Sequence, residues 1–357
     1  MKRTPIYING IGLISIQKPL SDDVIYNPED FSSNYVKCQD PDYKQYINAG
    51  TARRMSPIIK RSIVTSKTAL QNADVSVPDA IISGTGLGCA TDTEKFLTAM
   101  IENNEEFLSP TAFIHSTHNT LSSQVAIDIN CKNYNNTFMQ KGVSFEHALL
   151  DAVCMIRNNE INNALVMGND EFNEKFHKLY DNLKFWKTNV ESTLNIAKQN
   201  DSYGSFAGEG SSALVVTNCF NEKSYAKISD LKITYNTKGI DIDFVENFIS
   251  ENNLSFDNID LVLTGINGDK ENDLVYNNLF NNSKLSNKIG LFRNLSGYYY
   301  TSSGFGFAAA AICLKNRLIP KHLTLNGKEI KNPENILFYN HSDNKQHALS
   351  IISKCTD

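Results

Sequence analysis

Short apolar runs and amphipathic stretches take turns along this chain, as they do where strands and helices follow one another. Residues 5–14, Pro-Ile-Tyr-Ile-Asn-Gly-Ile-Gly-Leu-Ile, are rich in β-formers and broken by Gly10 and Gly12. They predict a strand leading into a tight loop. Polar, irregular sequence fills 17–49. Ile58, Ile59, Ile63, Val64, Ala69 and Leu70 recur near helical spacing and predict a helix over 53–73. A buried strand at 78–83, a glycine-rich loop at 84–92 and a helix at 93–103 come next. Residues 113–127 read as a loop entering a helix.

The stretch 135–150, Asn-Asn-Thr-Phe-Met-Gln-Lys-Gly-Val-Ser-Phe-Glu-His-Ala-Leu-Leu, predicts a short strand at 137–140 and a sharp turn at Gly142. A helix then runs through Ala148, Leu149, Ala152 and Val153. An elbow of this kind normally presents a nucleophile at a helix N-terminus, where backbone N–H groups and the helix dipole favour an anion. Gly142 has no side chain to present. A strand at 163–168 precedes the acidic Asp170 and Glu171, and a glycine turn feeds a strand over 206–216. Strand, helix and strand recur at 228–235, 241–250 and 260–264. A polar loop (265–272), a helix (273–280), a strand (290–292), a small-residue helix (308–316) and a closing hairpin (336–340 with 348–352) complete the chain.

This alternation predicts an α/β protein with helices on both sheet faces. Both halves run strand, helix, strand, glycine turn, helix, strand, which hints at duplication, although no residue-level repeat is visible. The halves fall at 1–222, carrying the elbow, and 223–357. No Pro- or Ser-rich linker separates them, so one body is expected. The 357 residues are 41% hydrophobic and 20% charged, with net charge −5, which argues against nucleic acid as a partner.

Seven scattered cysteines show no CxxC spacing. Cys154 and Cys313 lie in apolar helical runs and are expected as reduced core residues. The N-terminus has no apolar leader and the chain no run of about eighteen apolar residues, so a cytoplasmic protein without a membrane span is expected. No cofactor is expected: Gly84-x-Gly86-x-Gly88 lacks the full dinucleotide fingerprint and suits a close-packed turn. His115 and His118 lack a nearby Cys or Glu to complete a metal site. Arg53, Arg54, Lys60 and Arg61 form a basic cluster, read as a solvated helix face or as a local patch for an acidic carrier.

Taken in order, these landmarks resemble the β-ketoacyl-(acyl-carrier-protein) synthases. Gly10-Ile-Gly12-Leu-Ile is similar to the family's opening glycine strand-loop, and Gly84-Thr-Gly86-Leu-Gly88 to its glycine turn before a helix. Asn119 followed by Gln124-Val-Ala-Ile127 resembles the loop and helix facing the acyl channel. Gly208-Glu-Gly210-Ser-Ser-Ala-Leu-Val-Val is the most specific match, and Leu318-Ile-Pro320 fits the C-terminal half. Each motif is weak alone; order and spacing together carry the resemblance across nearly the whole chain. It implies the thiolase-like fold, two pseudo-duplicated halves in a layered αβαβα arrangement.

The resemblance also implies a cysteine at the elbow, attacking a thioester as thiolate, and two histidines in the second half that stabilise the enolate formed as malonyl groups lose carbon dioxide. Counted from the motifs, these positions fall on Gly142, about Gly265 and Tyr298. No Cys or His occupies any of the three neighbourhoods. Ser144 lies past the turn, and Gln140 two residues before it. His341, in the changed C-terminal turn Asn340-His-Ser-Asp-Asn344, reads as a surface turn residue or a displaced base.

Within the family the pattern looks like a chain length factor, the inactive subunit that pairs with an active ketosynthase. An acyl carrier protein would meet this chain through that complex. Phe113, His115, His118, Asn119, Phe138, Met139 and Gln140 are expected at the partner's acyl tunnel or the interface; Phe113, Phe138 and Met139 serve equally as core or interface residues. Two alternatives stay open. One is an acyltransferase, hydrolase or decarboxylase rebuilt around Ser144, Cys89, His115 or His118. The other is a homodimer that holds an acyl group or carrier without reacting.

Overall fold

The helix that organises the molecule is polar and apolar by no clear stripe, because it is buried from Ser302 to Leu314 on every side. It is the small-residue helix, and in the computed structural model, which describes residues 4–355, it begins six residues earlier than its apolar run suggests. Gly304 and Gly306 weaken a helix by propensity, yet each is required by packing. A Cβ at Gly304 would overlap Ser212 Oγ and stand 3.0 Å from the Phe145 ring. Met1–Arg3, at the start of the expected first half, lie outside the described residues, as do the last two residues of the second half.

In chain order the first half comprises β1 (Ile6–Ile14), α1 (Ala49–Ala52), α2 (Pro57–Asn72), β2 (Ala80–Gly84), α3 (Ala90–Glu102), α4 (Pro110–Ser116), α5 (Thr120–Asp128), β3 (Tyr134–Phe138), α6 (Ser144–Arg157), β4 (Asn163–Asp170), α7 (Glu174–Asn182) and β5 (Gly210–Thr217). The second comprises β6 (Ala226–Tyr235), α8 (Ile242–Ser250), β7 (Leu261–Thr264), α9 (Lys270–Phe280), β8 (Ile289–Leu291), α10 (Arg293–Ser296), α11 (Ser302–Lys315), the small pair β9 (Leu318–Ile319) and β10 (Ile330–Lys331), β11 (Asn335–Ser342) and β12 (Gln346–Ser353). Residues 113–116, expected as loop, are helical in α4, which Pro110 starts at its first position.

Among the described residues one ten-stranded sheet runs β3-β2-β4-β5-β1-β6-β12-β11-β7-β8. Outward from the central β1–β6 contact the pairings on each side are antiparallel, antiparallel, parallel, parallel. The duplication that the sequence hints at is therefore present in topology. Helices α6 and α11 pack in one apolar core with strands of both halves. The outer face of the first half is covered by α2 and α5, and that of the second by α8 and α9. The layering is αβαβα.

Two surface expectations change. Arg61 is not part of a solvated basic face: it is buried, and pairs with Asp40 (2.7 Å) and with Glu209 (3.0 Å) of the Gly-Glu-Gly motif. Arg53 and Arg54 alone remain exposed on that cluster. Cys313 is buried as expected, whereas Cys154 is exposed, because it falls on the outer side of α6. No helix among the described residues is long and apolar enough to cross a membrane.

Candidate functional site

The elbow begins at the edge of the sheet. β3 ends at Phe138, Met139 is 54% exposed, and Lys141, the first residue of the 3-10 turn Lys141–Val143 that leads into α6, takes a left-handed φ of 50°. Gly142 is buried. A Cβ there would stand 3.1 Å from Ser342 Cβ and 3.2 Å from its hydroxyl, so a side chain would need the end of β11 to give by a few tenths of an ångström. Ser144 Oγ donates to Lys141 O at 2.8 Å, a local bond that holds the turn.

Around this turn lies a buried polar network that the sequence reading did not foresee. Asn340, on β11, donates through Nδ2 to Gly142 O (2.8 Å) and to Glu146 Oε1 (2.7 Å). Ser303, at the start of α11, donates to Glu146 Oε2 (2.9 Å). Glu146 is fully buried in the first turn of α6. Burial pushes its carboxyl up to about 7, and the bonds from Asn340, the α6 backbone and Ser303, with the Arg293 charge, keep it from rising further.

Arg293 supplies the cation. It is 2% exposed and donates to Asn340 Oδ1 (3.1 Å), Gly265 O (2.8 Å), Asn272 Oδ1 (3.4 Å) and Ser302 Oγ (3.3 Å). Its guanidinium lies 5.1 Å from the centre of the Tyr298 ring. A Cβ at Gly265 would stand 2.6 Å from Tyr276 Oη and 2.8 Å from Arg293 Nη1. Asn340 thus bridges a buried guanidinium and a buried carboxyl, and the three groups touch Gly142, Gly265 and Tyr298 alike.

His341 is 5% exposed, so it is not a surface turn residue. Its ring packs on Tyr276 with centroids 4.7 Å apart, and Nε2 lies 3.3 Å from Asn272 O. Burial, then the Arg293 charge, pushes it down to about 3; it is neutral and a weak base. Burial pushes the Tyr298 hydroxyl up to about 12. A cleft of about 680 Å³ opens onto this region. Leu183, Phe185 and Tyr203 form its exposed apolar rim, and Asn267, Asn272, Tyr298 and His341 line it further in.

The remaining expected residues lie on another flank. Phe113 is exposed on α4, His115 and His118 are half-buried, and Asn119 is exposed. A Cβ at Gly88 would meet the His118 ring at 3.1 Å, which explains that glycine as a close-packed turn. Phe138 is half-buried and stacks on His147, and Gln140 is half-buried. A hydroxyl contact between Ser122 and Thr137 (3.0 Å) holds α5 to β3, so these groups share the β3 side of the molecule. Cys89 is fully buried, and burial pushes its thiol up. Among the described residues no three His, Cys, Asp or Glu side chains could hold a metal ion.

The motif glycines have the same explanation. Gly210 packs against Tyr299, where a Cβ would stand 2.5 Å from the hydroxyl, and Gly208 against the turn at Ser296–Gly297. Residues 32–213 match the family profile described as "Beta-ketoacyl synthase, N-terminal domain". The chain belongs to the β-ketoacyl synthase family. No curated protein matches its sequence. Among solved structures, this β-ketoacyl synthase family member is similar to "The ishigamide ketosynthase/chain length factor" at 14% identity and TM-score 0.84, over 99% of this chain and 100% of that one. It is similar to a type II PKS acyl-carrier protein in complex with its ketosynthase bound to the hexaketide, at 11% identity and TM-score 0.77, over 99% and 100%. A β-ketoacyl synthase from Burkholderia phymatum STM815 gives 14% identity and TM-score 0.76, over 100% of both chains. At such identities the shared property is the thiolase-like fold.

Proposed function

We propose that this chain is a non-catalytic ketosynthase-like subunit, a chain length factor. It pairs with an active β-ketoacyl synthase in polyketide, fatty-acid or polyene synthesis. The observation that carries the reading is the Arg293 guanidinium packed against Gly265. The position matched to the first histidine has no side chain, and the space such a side chain would need is filled. Condensation requires a thiolate opposite groups that hold an enolate oxygen. With glycine at the elbow and Tyr298 at the remaining position, both supports of that transition state are missing.

The proposed pairing face is the β3 edge. Among the described residues its backbone is unpaired on one side, and Tyr134–Phe138 carries no lysine or proline to blunt it. Across a two-fold, Phe113, His115, His118, Asn119, Phe138, Met139 and Gln140 line or cap the partner's acyl tunnel, setting product length by bulk. Each methylene gains only about 0.8 kcal/mol on burial, so a steric stop, which costs about 1–3 kcal/mol, decides length. The fold shared with a ketosynthase/chain length factor and with a carrier-bound ketosynthase supports this reading, with the carrier protein reached through the complex.

Co-expression with its ketosynthase, followed by native mass, tests the pairing. A one-to-one complex is expected; a self-sufficient homodimer that ignores the ketosynthase contradicts it. The open cleft favours a second reading, a protein that holds an acyl or carrier arm without reacting: Asn267, Asn272, Tyr298 and His341 offer hydrogen-bonding groups beside the apolar Leu183 and Phe185, with Lys184, Asp269, Glu271 and Asp343 also on the lining. Saturable binding of a pantetheine amide by the chain alone would support that reading instead.

A further inference from the structure

The hairpin of α3 and α4 carries a surface that its own chain does not use. Leu97 and Ile101 lie one turn apart on α3, Phe113 and Ile114 on α4, and all four are exposed. The Phe96 and Phe113 rings, 5.4 Å apart, hold the two helices together. Phe107, in the connection, is 94% exposed. Single exposed apolar residues need no explanation, but a cluster on one hairpin marks an interaction site.

Two observations indicate what covers it. Asn104, Glu105 and Phe107 have φ of 49°, 67° and 55°. A phenylalanine is poorly suited to that left-handed region, and its exposed side chain recovers nothing from this chain. Around Phe107 stand Glu102, Glu105 and Glu106, all exposed and none in an ion pair among the described residues. Lys95 is the one lysine or arginine on the hairpin, and His115 its one histidine.

We propose that this tip is a docking knob for a different polypeptide, whose matching face is an apolar socket rimmed by Lys and Arg. A two-fold contact between copies requires a patch that complements itself, and an acidic rim facing its like is repelled. The proposal rests on the paired-subunit reading above and adds the shape and charge of the partner's face.

Binding of the full chain to its ketosynthase, measured by sedimentation and association kinetics, tests it with two variants. Phe107→Gly relieves the left-handed strain, so it raises the Tm of the isolated chain while weakening the pair at least tenfold. The triple variant Glu102→Lys, Glu105→Lys, Glu106→Lys slows association at least tenfold at low salt and flattens its salt dependence. Parental binding by both variants overturns the knob and leaves the heterodimer standing. A tight wild-type homodimer at physiological salt overturns the knob too. Failure of the wild type to bind its ketosynthase overturns the heterodimer reading and this proposal with it.

Discussion

Glu146 sits where the fold leaves it no water, and its raised pKa is a statement about stability. Its ordinary value is 4.5 and the folded value about 7. Below 4.5 both states hold the proton and folding is unaffected. Between 4.5 and 7 the unfolded chain ionises first, so stability falls as pH rises and the loss is complete above about 7. The cost is on the order of 3 kcal/mol. Glu171 and Asp273, raised to about 7 and about 6, act in the same direction. Glu146→Gln keeps the shape and removes the charge, so urea melts should show it matching the parent near pH 4.5 and exceeding it at pH 8. An unchanged pH dependence would show that Glu146 is not the group that titrates.

Gly265 and Arg293 are coupled in the same way at the residue scale. Gly265→His drives a side chain into Arg293 and Tyr276 and should destabilise by about 1–3 kcal/mol or more. Adding Arg293→Gly opens that space and should recover part of the loss, a non-additivity that a double-mutant cycle reads directly. Additive effects would mean that the two residues do not compete for one site.

At the scale of elements, Asp170 ties β4 to two distant segments. Oδ1 accepts from Gly86 N, Leu87 N (both 2.8 Å) and Thr85 Oγ1 (3.1 Å), and Oδ2 from Thr301 N (2.9 Å) and Thr301 Oγ1 (2.8 Å). One carboxylate thereby fixes the glycine loop of the first half and the start of α11 in the second. Asp170→Ala strands three N–H groups, that of Thr301 buried and those of Gly86 and Leu87 partly buried, and should cost about 3–5 kcal/mol, seen as an earlier urea midpoint. β3 predicts the opposite behaviour. Met139→Asp, at an exposed position beside that edge, should leave the isolated chain within about 0.5 kcal/mol of the parent while abolishing the one-to-one complex on native mass. Retained pairing would move the interface elsewhere.

Most elements were legible because apolar period reports burial, and it placed both glycine turns, the elbow and the closing hairpin within a few residues. It failed where burial is polar. Glu146 and Asn340 meet across 194 positions, and no local pattern announces such a bond. A signal existed: Glu146 shares the apolar stripe of Leu149 and Val153, where a carboxylate needs a partner. Arg293 falls between the strand at 290–292 and the helix at 308–316, where the apolar pattern assigns no element, and His341 falls in a segment that reads as a surface turn. Both are buried by contacts from the other side of the chain.

For the whole molecule, the pairing order repeats outward from β1 and β6, so the two halves meet over α6 and α11. The elbow belongs to the first half, and Gly265 and Tyr298 to the second. A network spanning both halves runs from Glu146 to Asn340 to Arg293; on the proposed reading it occupies the place of the family's thiolate and imidazoles. The layered apolar cores of both halves lie apart from that polar centre, so the fold does not depend on a catalytic set there. The most direct measurement is the rate at which malonyl and acyl thioesters condense with the purified chain alone, with its ketosynthase alone, and with both. No turnover by the chain alone, and a product whose length changes when the chain joins the ketosynthase, is the predicted result. Condensation by the chain alone at an enzymatic rate would contradict it.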